Sequence, residues 1–582
     1  MKFKHVAKVF SQIQETSSRL EITELLADLL KKATPSEASI LANLSLGQLN
    51  PPYIGTQFNI AAKTMIKVLA KLLGKDEADI KKEAQKLGDL GLVAAEGNWL
   101  TSKELRVQQV YDRLHEIEKL SGVGSTEDKI NALENLLSEL DAESAKFVVR
   151  IVLGKLRLGF SDMTLVDALS WMEVNDKSLR DIIEDAYNVC ADIGLIAETI
   201  KQEKGITKLK NMKVQIGIPI RLAAAERLPT AQDIFDKLGK CVAQQKLDGF
   251  RLQIHLDKRG SKPEVSFYSR NLQDMSHMFP DLAKALEKLE VETLICEGEA
   301  IVYDPNADQF LPFQETVKRK RKHDIEKVAQ ELPLQLFLFD LLYLNGQEML
   351  DQTHAVRRNR LEQVLKGFKP ESIKVVEQEE ILSADQLQQY FLKAIERGLE
   401  GLVVKRTQAE YKPGKRNFNW IKLKRSEGGR LEDTLDTVIL GYYLGTGKRT
   451  AFGIGALLVG VYNKKEDEFQ TIAKVGTGLT DQEWKDVKKE CDSYKVKEQP
   501  KNVICAKELY PDVWLSPEVV CQVWADEISL SPRHSAGKTD KEIGYSLRFP
   551  RFMKLRDDKG PYEATTVDEI SRMYEDQFIT KQ

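Results

Sequence analysis

The chain has 582 residues, of which 42% are hydrophobic and 30% charged, and its net charge is −3. This composition predicts a soluble globular protein of three or four domains. No apolar run is long enough to cross a bilayer, and Met1–His5 does not begin a signal peptide, so we expect a cytoplasmic location, nucleoid-associated if the source is prokaryotic. The near-neutral total excludes a histone-like binder, but not nucleic-acid binding through local Lys and Arg.

The cysteines and histidines argue against a zinc centre. The six cysteines include no Cys-x-x-Cys pair, and the seven histidines are dispersed. This pattern is typical of isolated thiols in the core rather than of disulfides or zinc ligands. Any metal is therefore expected to be a hard cation held by carboxylates and phosphates.

The first two hundred residues have helical periodicity. Apolar residues line one face over 125–140, where Ser125 with Asp128 three residues later predicts a helix cap. A second apolar face runs from Met65 to Leu73 and is followed by Gly74, a plausible C-terminal stop. We predict an all-α domain over residues 1–205.

A faint repeat lies inside this helical region. Leu44–Gly47 and Leu156–Gly159 each predict a tight glycine turn that leads into a helix N-terminus, where backbone N–H groups can bind a phosphate. Arg150, Lys155 and Arg157 add positive charge beside the second turn. Two ordinary helix–loop–helix corners are the alternative interpretation.

From residue 206 the pattern changes to alternating strands and helices, which predicts an α+β domain over 206–427. A glycine-containing linker, 426–430, then precedes a small β-barrel over 428–582. The basic run 318–322 is expected on a solvated helix face without a catalytic role. The strand-like runs are 250–256, 264–269, 293–303, 334–344, 419–424, 437–443, 455–462, 469–475 and 519–530.

The chemistry centres on Lys246, which begins the tetrapeptide Lys-Leu-Asp-Gly. Alone, this Lys-x-Asp-Gly sequence is weak evidence, because it also describes a surface turn beside a strand. An ordered set of companions strengthens it. These are Glu297-Gly298-Glu299, Phe339-Asp340, Glu400-Gly401-Leu402-Val403-Val404-Lys405, Tyr411-Lys412-Pro413-Gly414-Lys415-Arg416, Trp420-Ile421-Lys422-Leu423-Lys424 and Arg548-Phe549-Pro550-Arg551-Phe552.

In this order the motifs resemble those of the nucleotidyltransferase superfamily of ligases and mRNA capping enzymes. The late motifs, 530–532 and 546–552, resemble the ATP-dependent DNA ligases of archaeal and eukaryotic type. The helical first domain is similar to their DNA-binding domain, so the resemblance covers nearly the whole chain. It implies an all-α DNA-binding domain, an α+β nucleotidyltransferase domain and a β-barrel of the OB-fold class.

The resemblance also implies residue roles. Lys246 is expected to be the adenylated nucleophile, and Glu299 and Glu400 are expected to place Mg²⁺, with Mn²⁺ as an alternative. Phe339 is expected to stack on the base, although without the resemblance its apolar strand would favour a position in the core. The other residues expected at the nucleotide are Gln244, Arg251, Arg270, Lys405, Arg416, Lys422, Lys424 and Arg548. The residues expected at DNA are Arg150, Lys155, Arg157, Lys448 and Arg449.

The chemistry agrees with these roles. A lysine amine that attacks the α-phosphate of ATP forms a phosphoramidate and divides one difficult step into easier ones. The amine must first lose its proton, and we expect Lys422, Lys424, Arg251 and a bound metal to lower the pKa of Lys246. The same charges stabilise the phosphate oxygens in the transition state.

Gln244 departs from the family pattern. Many members carry Glu two positions before the lysine, where it accepts a hydrogen bond from the adenine amino group. Glutamine can accept from an amino group or donate to a carbonyl oxygen. ATP is the expected cosubstrate, and a relaxed choice of nucleotide stays open.

The predicted function is ATP-dependent sealing of nicks in duplex DNA. The barrel is expected to rotate between steps on a hinge at Gly428-Gly429. The alternatives are an RNA ligase or capping guanylyltransferase with the same lysine, and an inactive DNA-binding scaffold. A monomer is expected. A sliding-clamp partner stays open, because the helical region has no clear Gln-x-x-apolar-x-x-aromatic-aromatic peptide, and the sequence does not separate repair, replication and recombination roles.

Overall fold

The computed structural model describes residues 1–97, 103–122, 124–304, 309–310, 316, 319, 332–397, 399–424, 434–539 and 543–577. The described chain forms two compact units, one of Met1–Leu73 with Gly97–Lys424 and one of Gly74–Glu96 with Arg425–Gln582. The three-domain division made from sequence stays a prediction. The predicted hinge at Gly428-Gly429 lies outside the described residues.

The N-terminal part is helical, as predicted. Helix α4 ends at Leu73 and is followed by Gly74 with φ 61°, which confirms the predicted stop. Helix α8 begins at Ser125, but its N-cap is Gly124 with φ 88°, so the predicted Ser125 cap is wrong. The helices are α1 (Phe3–Glu15), α2 (Arg19–Lys32), α3 (Pro35–Ser45), α4 (Ala62–Leu73), α5 (Glu77–Leu87), α6 (Leu90–Ala95), α7 (Val107–Lys119), α8 (Ser125–Ser138), α9 (Ala142–Val152), α10 (Asp162–Val174), α11 (Arg180–Val189), α12 (Ile193–Ile200) and α13 (Gly205–Lys210).

The two predicted glycine turns pack against each other. Gly47 and Gly159 have φ of 73° and 79°, values that favour glycine. A Cβ added at Gly47 would lie 3.0 Å from Cβ of Leu156, at the start of the second turn. Only the second turn leads directly into a helix, α10. The first is followed by an irregular segment and then by α4, so a helix follows each turn, as predicted, but the loop after the first turn is longer.

Two sheets follow the helices within the first unit. One has the order β1-β12-β11-β2-β10, and the other has the order β4-β3-β5-β7-β8, with β6 paired to β5 and β9 to β7. The strands are β1 (Ala224–Arg227), β2 (Cys241–Lys246), β3 (Phe250–Asp257), β4 (Glu264–Ser269), β5 (Thr293–Asp304), β6 (Gln309–Phe310), β7 (Leu334–Leu344), β8 (Gln347–Glu348), β9 (Ile373–Val375), β10 (Gln378–Ile381), β11 (Gly401–Lys405) and β12 (Arg416–Lys424). The helices between them are α14 (Ala231–Leu238), α15 (Pro280–Leu286), α16 (His354–Val364) and α17 (Ala384–Glu396).

Strand alternation gives the first sheet one apolar and one cationic face. Ala243, Leu402 and Leu423 pack with residues of α14 and α17 in one buried cluster. The residues between them, which include Lys246 and Lys424, point to the other face. We call the sheet of β1, β2, β10, β11 and β12 the lysine sheet.

The second sheet also has one apolar face, and its other face carries acidic residues. Leu252, Cys296 and Leu338 pack with residues of α15 in a buried cluster. Glu297 and Glu299 alternate with these core positions on β5, so both point away from that core. We call the sheet of β3, β4, β5, β7 and β8 the carboxylate sheet.

The second unit contains an antiparallel sheet with one parallel pairing, which agrees with an OB-type architecture. The run 519–530, predicted as one strand, is two strands, since β19 ends at Trp524 and β20 begins at Glu527. The remaining elements are β13 (Leu435–Tyr443), β14 (Ala456–Asn463), β15 (Glu468–Val475), α18 (Asp481–Asp492), β16 (Lys495–Val496), β17 (Val503–Ile504), β18 (Val513–Leu515), β19 (Val520–Trp524), β20 (Glu527–Ser531), β21 (Gly544–Arg548), β22 (Arg551–Leu555) and α19 (Val567–Asp576).

The prediction of isolated core thiols is confirmed for five of the six cysteines. All six cysteines are free thiols, and all but the half-buried Cys505 are buried. Among the described residues, no helix combines the length and apolarity that a membrane crossing requires.

Of the basic run 318–322, the structure describes Arg319 alone. Arg319 is buried and ion-paired with Asp281 at 2.6 Å, so the expectation of a solvated face is wrong for this residue.

Candidate active site

Lys246 lies at the end of β2 beside a carboxylate and a second lysine. Its Nζ is 2.6 Å from Oε2 of Glu400, and Nζ of Lys424 is 2.7 Å from the same oxygen. Burial alone would raise the pKa of Glu400, but the two ammonium groups lower it to about 2. Glu400 is therefore ionised at every physiological pH and holds both lysines at one point.

The residues of the chain alone do not lower the pKa of Lys246, in contrast to the effect predicted for its neighbouring cations. Burial lowers the pKa of Lys246, but Glu400 and Glu299 outweigh burial, and the net shift is upward. The nearest charges are carboxylates, and the lysines named from the sequence have less effect. Lys422 does show a lowered pKa, caused by burial and by its neighbours Lys424 and Arg416.

The turn after Lys246 is fixed by Glu299 and by close packing. The backbone N–H of Gly249 donates to Oε1 of Glu299 at 2.9 Å. A Cβ added at Gly249 would lie 2.4 Å from the carbonyl oxygen of Ala300, so this position excludes a side chain. Burial raises the pKa of Glu299. The hydrogen bond ties the lysine-bearing turn to the carboxylate sheet.

Arg251 is held by protein groups on the site side of the carboxylate sheet. Its Nη2 donates to the fully buried carboxylate of Glu297 at 3.1 and 3.2 Å and to the carbonyl oxygen of Ala223 at 3.0 Å. The side chain keeps 23% exposure, so one edge of Arg251 remains open. Sequence reasoning missed Glu297, although its spacing from Glu299 places both carboxylates on one face of β5.

Asp340 is the centre of a buried charge cluster. Arg357 donates to both carboxylate oxygens of Asp340 at 2.7 and 3.1 Å, and the backbone N–H of Leu341 donates at 3.0 Å. Burial would raise the pKa of Asp340, but Arg357 and Lys405 hold it well below its usual range. The sequence did not single out Arg357 or this pairing.

Lys405, predicted to contact the nucleotide, lies in the interior instead. Its side chain is 1% exposed and its Nζ donates to the carbonyl oxygen of Phe339 at 3.2 Å. The same Nζ lies 4.1 Å from the centre of the Trp420 ring. Burial lowers its pKa to about 7. We therefore reassign Lys405 to the support between the two sheets.

Phe339 combines the two roles weighed from the sequence. Its ring is partly buried and packs edge-on against Trp420, with 6.2 Å between ring centres. The guanidinium of Arg251 lies 5.6 Å from the ring centre. Phe339 is thus part of a core cluster on the site side of its sheet, and its predicted contact with the base stays a prediction.

The remaining cations predicted at the nucleotide lie at the edges of the first unit. Arg416 is exposed at the start of β12, and Arg270 is exposed after β4. Arg270 and Arg251 line a cavity of about 470 Å³ between the helical residues and the strands. Lys246 and Glu400 are not among its lining residues, so the cavity does not include the candidate nucleophile.

A divalent cation fits the carboxylates of the site. Among the described residues, no group of three or more His, Cys, Asp or Glu side chains could hold a metal by itself. Mg²⁺ is usually bound by one or two carboxylates together with substrate phosphates and water. Glu299 and Glu400 meet that need.

The residues predicted at DNA differ in accessibility. Lys155 and Lys448 are exposed, and Arg157 is partly exposed with φ 62°. Arg449 donates to the carbonyl oxygen of Gly455 at 2.7 Å. Arg150 is a correction, because it is 2% exposed and donates to Gln14 at 3.0 Å, which leaves no open surface for a phosphate.

Arg548 belongs to the second unit. It lies at the end of β21 and forms an ion pair of 2.7 Å with Glu527 on the neighbouring strand β20. Its predicted contact with the triphosphate stays a prediction.

A lysine at a strand end that shares one carboxylate with a second lysine offers a nucleophile beside positive charge, as phosphoryl or nucleotidyl transfer requires. Three family models match the chain. They are the DNA ligase N terminus over residues 2–170, the ATP dependent DNA ligase domain over 223–424 and the ATP dependent DNA ligase C terminal region over 450–559.

Full-length relatives agree with the family models. A probable DNA ligase of Dictyoglomus turgidum is 44% identical over 99% of this chain and 98% of its own length. DNA ligase 1 of Methanosarcina acetivorans is 35% identical over 99% of this chain and all of its own length. The chain belongs to the ATP-dependent DNA ligases, enzymes that form phosphodiester bonds. A solved structure described as Pmar-Lig_PreS3 shares the fold, with a TM-score of 0.55, 17% identity and coverage of 94% of this chain and 99% of that one.

Proposed function

We propose that this ligase carries AMP on Lys246 and uses it to seal nicks between a 5′-phosphate and a 3′-hydroxyl in duplex DNA. The observation that carries the proposal is the position of Lys246, whose Nζ is held 2.6 Å from Glu400 at the open end of β2. Glu400 holds the ammonium in place, and the amine has to lose its proton before it attacks. Lys422 and Lys424 supply positive charge for the phosphate oxygens.

The reaction has three displacements at phosphorus. Nζ of Lys246 forms a bond to the α-phosphorus of ATP as the bond to the bridging oxygen breaks and pyrophosphate leaves. An oxygen of the DNA 5′-phosphate then forms a bond to that phosphorus, and the lysine leaves as the amine. Finally the 3′-hydroxyl attacks the DNA 5′-phosphorus, AMP leaves, and the hydroxyl proton passes to a base.

Glu299 and Glu400 are the groups that would hold Mg²⁺, or Mn²⁺ in its place. The cation, when bound, neutralises charge on the phosphates and offsets the effect of the two carboxylates on the pKa of Lys246. The chain itself orients the amine through Glu400 and fixes the following turn through Glu299.

The other contacts belong to the same proposal. Arg251, Arg270, Phe339, Arg416 and Gln244 are assigned to the nucleotide, and Arg548 to the pyrophosphate end during the first step. The DNA backbone is assigned to Lys155, Arg157, Lys448 and Arg449. The enzyme is proposed to act as a monomer wherever the cell keeps its DNA, which is the cytoplasm in a prokaryote.

Intact-mass measurement of the full-length enzyme tests the covalent step. The protein is first stripped of any bound AMP with pyrophosphate and Mg²⁺, and then incubated with ATP and Mg²⁺. We expect a gain of one AMP in wild type and none in Lys246→Arg. Lys240→Arg is the matched control, because Lys240 lies on the same chain segment but is exposed and paired with Glu380. It should gain AMP at the wild-type rate.

Nick sealing on a labelled duplex completes the test. Wild type should join the strands. Lys246→Arg should fail at an ordinary nick with ATP but should still join a pre-adenylated nick, because Lys246 serves only the first two steps. A misfolded variant would join neither nick. A folded Lys246→Arg that joins the pre-adenylated nick but not the ordinary nick would place the lysine in adenylation alone, as proposed. An AMP adduct retained by folded Lys246→Arg would refute the assignment.

A further inference from the structure

The tight loop after β4 contains a leucine in the left-handed backbone conformation. Leu272 has φ 62°, a region that bulky residues rarely occupy. Apart from Gly, Asn and Asp, the described residues with such a φ are Arg157, Lys204, Leu272 and Phe549. Arg157 is itself assigned to DNA, and Phe549 directly follows Arg548. Strain of this kind persists only where the surrounding structure imposes it, and it is common at functional sites.

The hydrogen bonds of the loop explain why position 272 is left-handed. The backbone N–H of Leu272 donates to the carbonyl oxygen of Ser269 at 2.8 Å, and the N–H of Ser269 donates to the carbonyl oxygen of Gln273 at 2.9 Å. These bonds close a hairpin loop, Arg270-Asn271-Leu272, whose last residue has the positive φ. Glycine is the usual residue at such a position, because it has no Cβ.

Arg270 depends on this loop for its position. Arg251 is fixed by the hydrogen bonds of its guanidinium to Glu297. Arg270 is exposed, and it forms no ion pair with any residue that the structure describes. The backbone conformation at 270–272 therefore determines where the Arg270 guanidinium lies.

The side chain of Leu272 anchors the loop at the cavity that Arg251 and Arg270 also line. Leu272 is partly buried, and the same cavity is lined by the apolar residues Leu46 and Pro52 of the helical region. Removal of this apolar surface from water offsets the cost of the left-handed backbone. A glycine would relax the backbone, but it would lose the apolar burial and leave the loop free to sample other conformations.

We propose that Leu272 is a positioning residue that fixes the loop of Arg270, so that the guanidinium is in place before the nucleotide binds. A nucleotide that meets a preformed loop does not have to order it, and its affinity is higher for that reason. The inference rests on the proposed function, in which Arg270 contacts the nucleotide. It adds a residue that acts through its neighbour.

Single-turnover self-adenylation of the full-length enzyme, stripped of AMP, tests the proposal. The adduct is followed by intact mass at a series of ATP concentrations with Mg²⁺. For Leu272→Gly we expect the half-saturating ATP concentration to rise about tenfold, the effect of ordering about one residue, with the maximal rate within about twofold of wild type. Leu272→Met keeps an apolar side chain of similar volume, and both values should stay within about twofold of wild type.

Three controls separate positioning from a general loss of structure. Asn175→Gly changes another exposed left-handed residue, with φ 57° after α10, and should leave the half-saturating concentration unchanged. The urea midpoint of Leu272→Gly should stay near that of wild type, because relief of the backbone strain opposes the loss of burial and the greater entropy of unfolded glycine. In an Arg270→Ala background, Leu272→Gly should have no further effect, because the positioned group is absent.

The outcomes are distinct. A rise for Leu272→Gly that is absent in Leu272→Met and absent in the Arg270→Ala background supports the proposal. An unchanged half-saturating concentration in folded Leu272→Gly overturns it, and so does an equal rise with and without Arg270. Calorimetric binding of ATP with Mg²⁺ to Lys246→Arg, with and without Leu272→Gly, measures the same effect without the covalent step. Wild type that gains no AMP while this binding difference remains would therefore overturn the role of Lys246 and leave that of Leu272 supported.

Discussion

The two sheets that carry the candidate site treat charge in opposite ways. On the carboxylate sheet, Glu297 and Asp340 are fully buried, and each carboxylate is matched to an arginine. On the lysine sheet, Lys246 and Lys424 keep 23% and 34% exposure and compete for the single carboxylate of Glu400. The fully buried Asp340–Arg357 pair has little left to offer a substrate and Arg251 keeps only one open edge, whereas lysines that share one partner can turn to a phosphate.

The comparison assigns stability to the first arrangement and chemistry to the second. Removing one member of a buried pair leaves an uncompensated charge, which is costly to the fold. Removing a shared, partly exposed group changes the electrostatics of the reacting atoms with less effect on the fold. The following changes test this division, from the largest expected effect to the smallest.

Arg357→Met should have the largest effect on stability. It leaves the Asp340 carboxylate buried without its two-point partner, and we expect a loss of about 3–5 kcal/mol in the free energy of unfolding. Urea unfolding followed by fluorescence measures the change. Arg360→Met on the same helix is the control, because Arg360 is exposed and should change stability by less than about 1 kcal/mol. Equal losses from both variants would contradict the division.

Glu400→Gln should damage chemistry instead. We expect the maximal rate of self-adenylation to fall about 10²- to 10³-fold, with the unfolding transition near that of wild type. Because Glu400 raises the pKa of Lys246, its removal should also move the acid limb of the pH–rate profile to lower pH. Single-turnover mass measurements across pH give both quantities. Glu410→Gln, an exposed carboxylate after β11, should leave both unchanged, and an acid limb that stays in place for Glu400→Gln would count against the assignment.

His255 on the carboxylate sheet should contribute to the pH dependence of the free energy of unfolding. His255 is buried with its Nδ1 accepting from Gly217 at 3.0 Å, and burial lowers its pKa to about 3. The unfolded chain, with a histidine pKa near 6.5, binds an extra proton below that pH, so stability is lost as pH falls from about 6.5 toward 3. In His255→Gln the loss between pH 7 and pH 5 should shrink by about 2 kcal/mol. An identical loss in both proteins would mean that His255 is already charged when folded.

Phe339→Leu should give the smallest effect. The Phe339 ring is proposed to stack on the face of the base, which adenine and guanine share. Loss of the ring should therefore weaken the binding of ATP and of GTP alike. We expect the KM for ATP and for GTP to rise by the same factor, about threefold to tenfold. A change in the ATP-to-GTP ratio would show that Phe339 also reads the edge of the base.

Several long strands and the set of motif residues could be predicted from sequence, but the order of the strands in the two sheets could not. Lys246 and Glu400 lie at strand ends, whereas Glu299 lies within β5 and reaches the turn after Lys246 through its hydrogen bond to Gly249. Arg357 could not be found, since it lies among polar residues on α16 with no pattern that marks it as buried.

The predicted direction of the Lys246 pKa shift was wrong for a related reason. Motif spacing names the charges near a lysine but not their distances from it, and electrostatic effects fall off with distance. Once Glu400 lies 2.6 Å from Nζ, it outweighs the cations placed farther along β12. The contacts predicted for Arg150 with DNA and for Lys405 with the nucleotide were wrong for a similar reason. A motif does not show whether a charged side chain faces solvent or the interior.

Gly401 limits how this site could be redesigned. Its φ is 144°, and a Cβ there would lie 2.1 Å from the carbonyl oxygen of Leu423 on the adjacent strand. Any side chain must push β11 and β12 apart, and those strands carry Glu400 at one end and Lys424 opposite. The distances from Glu400 to Lys246 and Lys424 therefore depend on residue 401 having no side chain. Substitutions meant to change the pKa of the Lys246 amine have to be made at other positions, because glycine is required here to keep the spacing of the two strands.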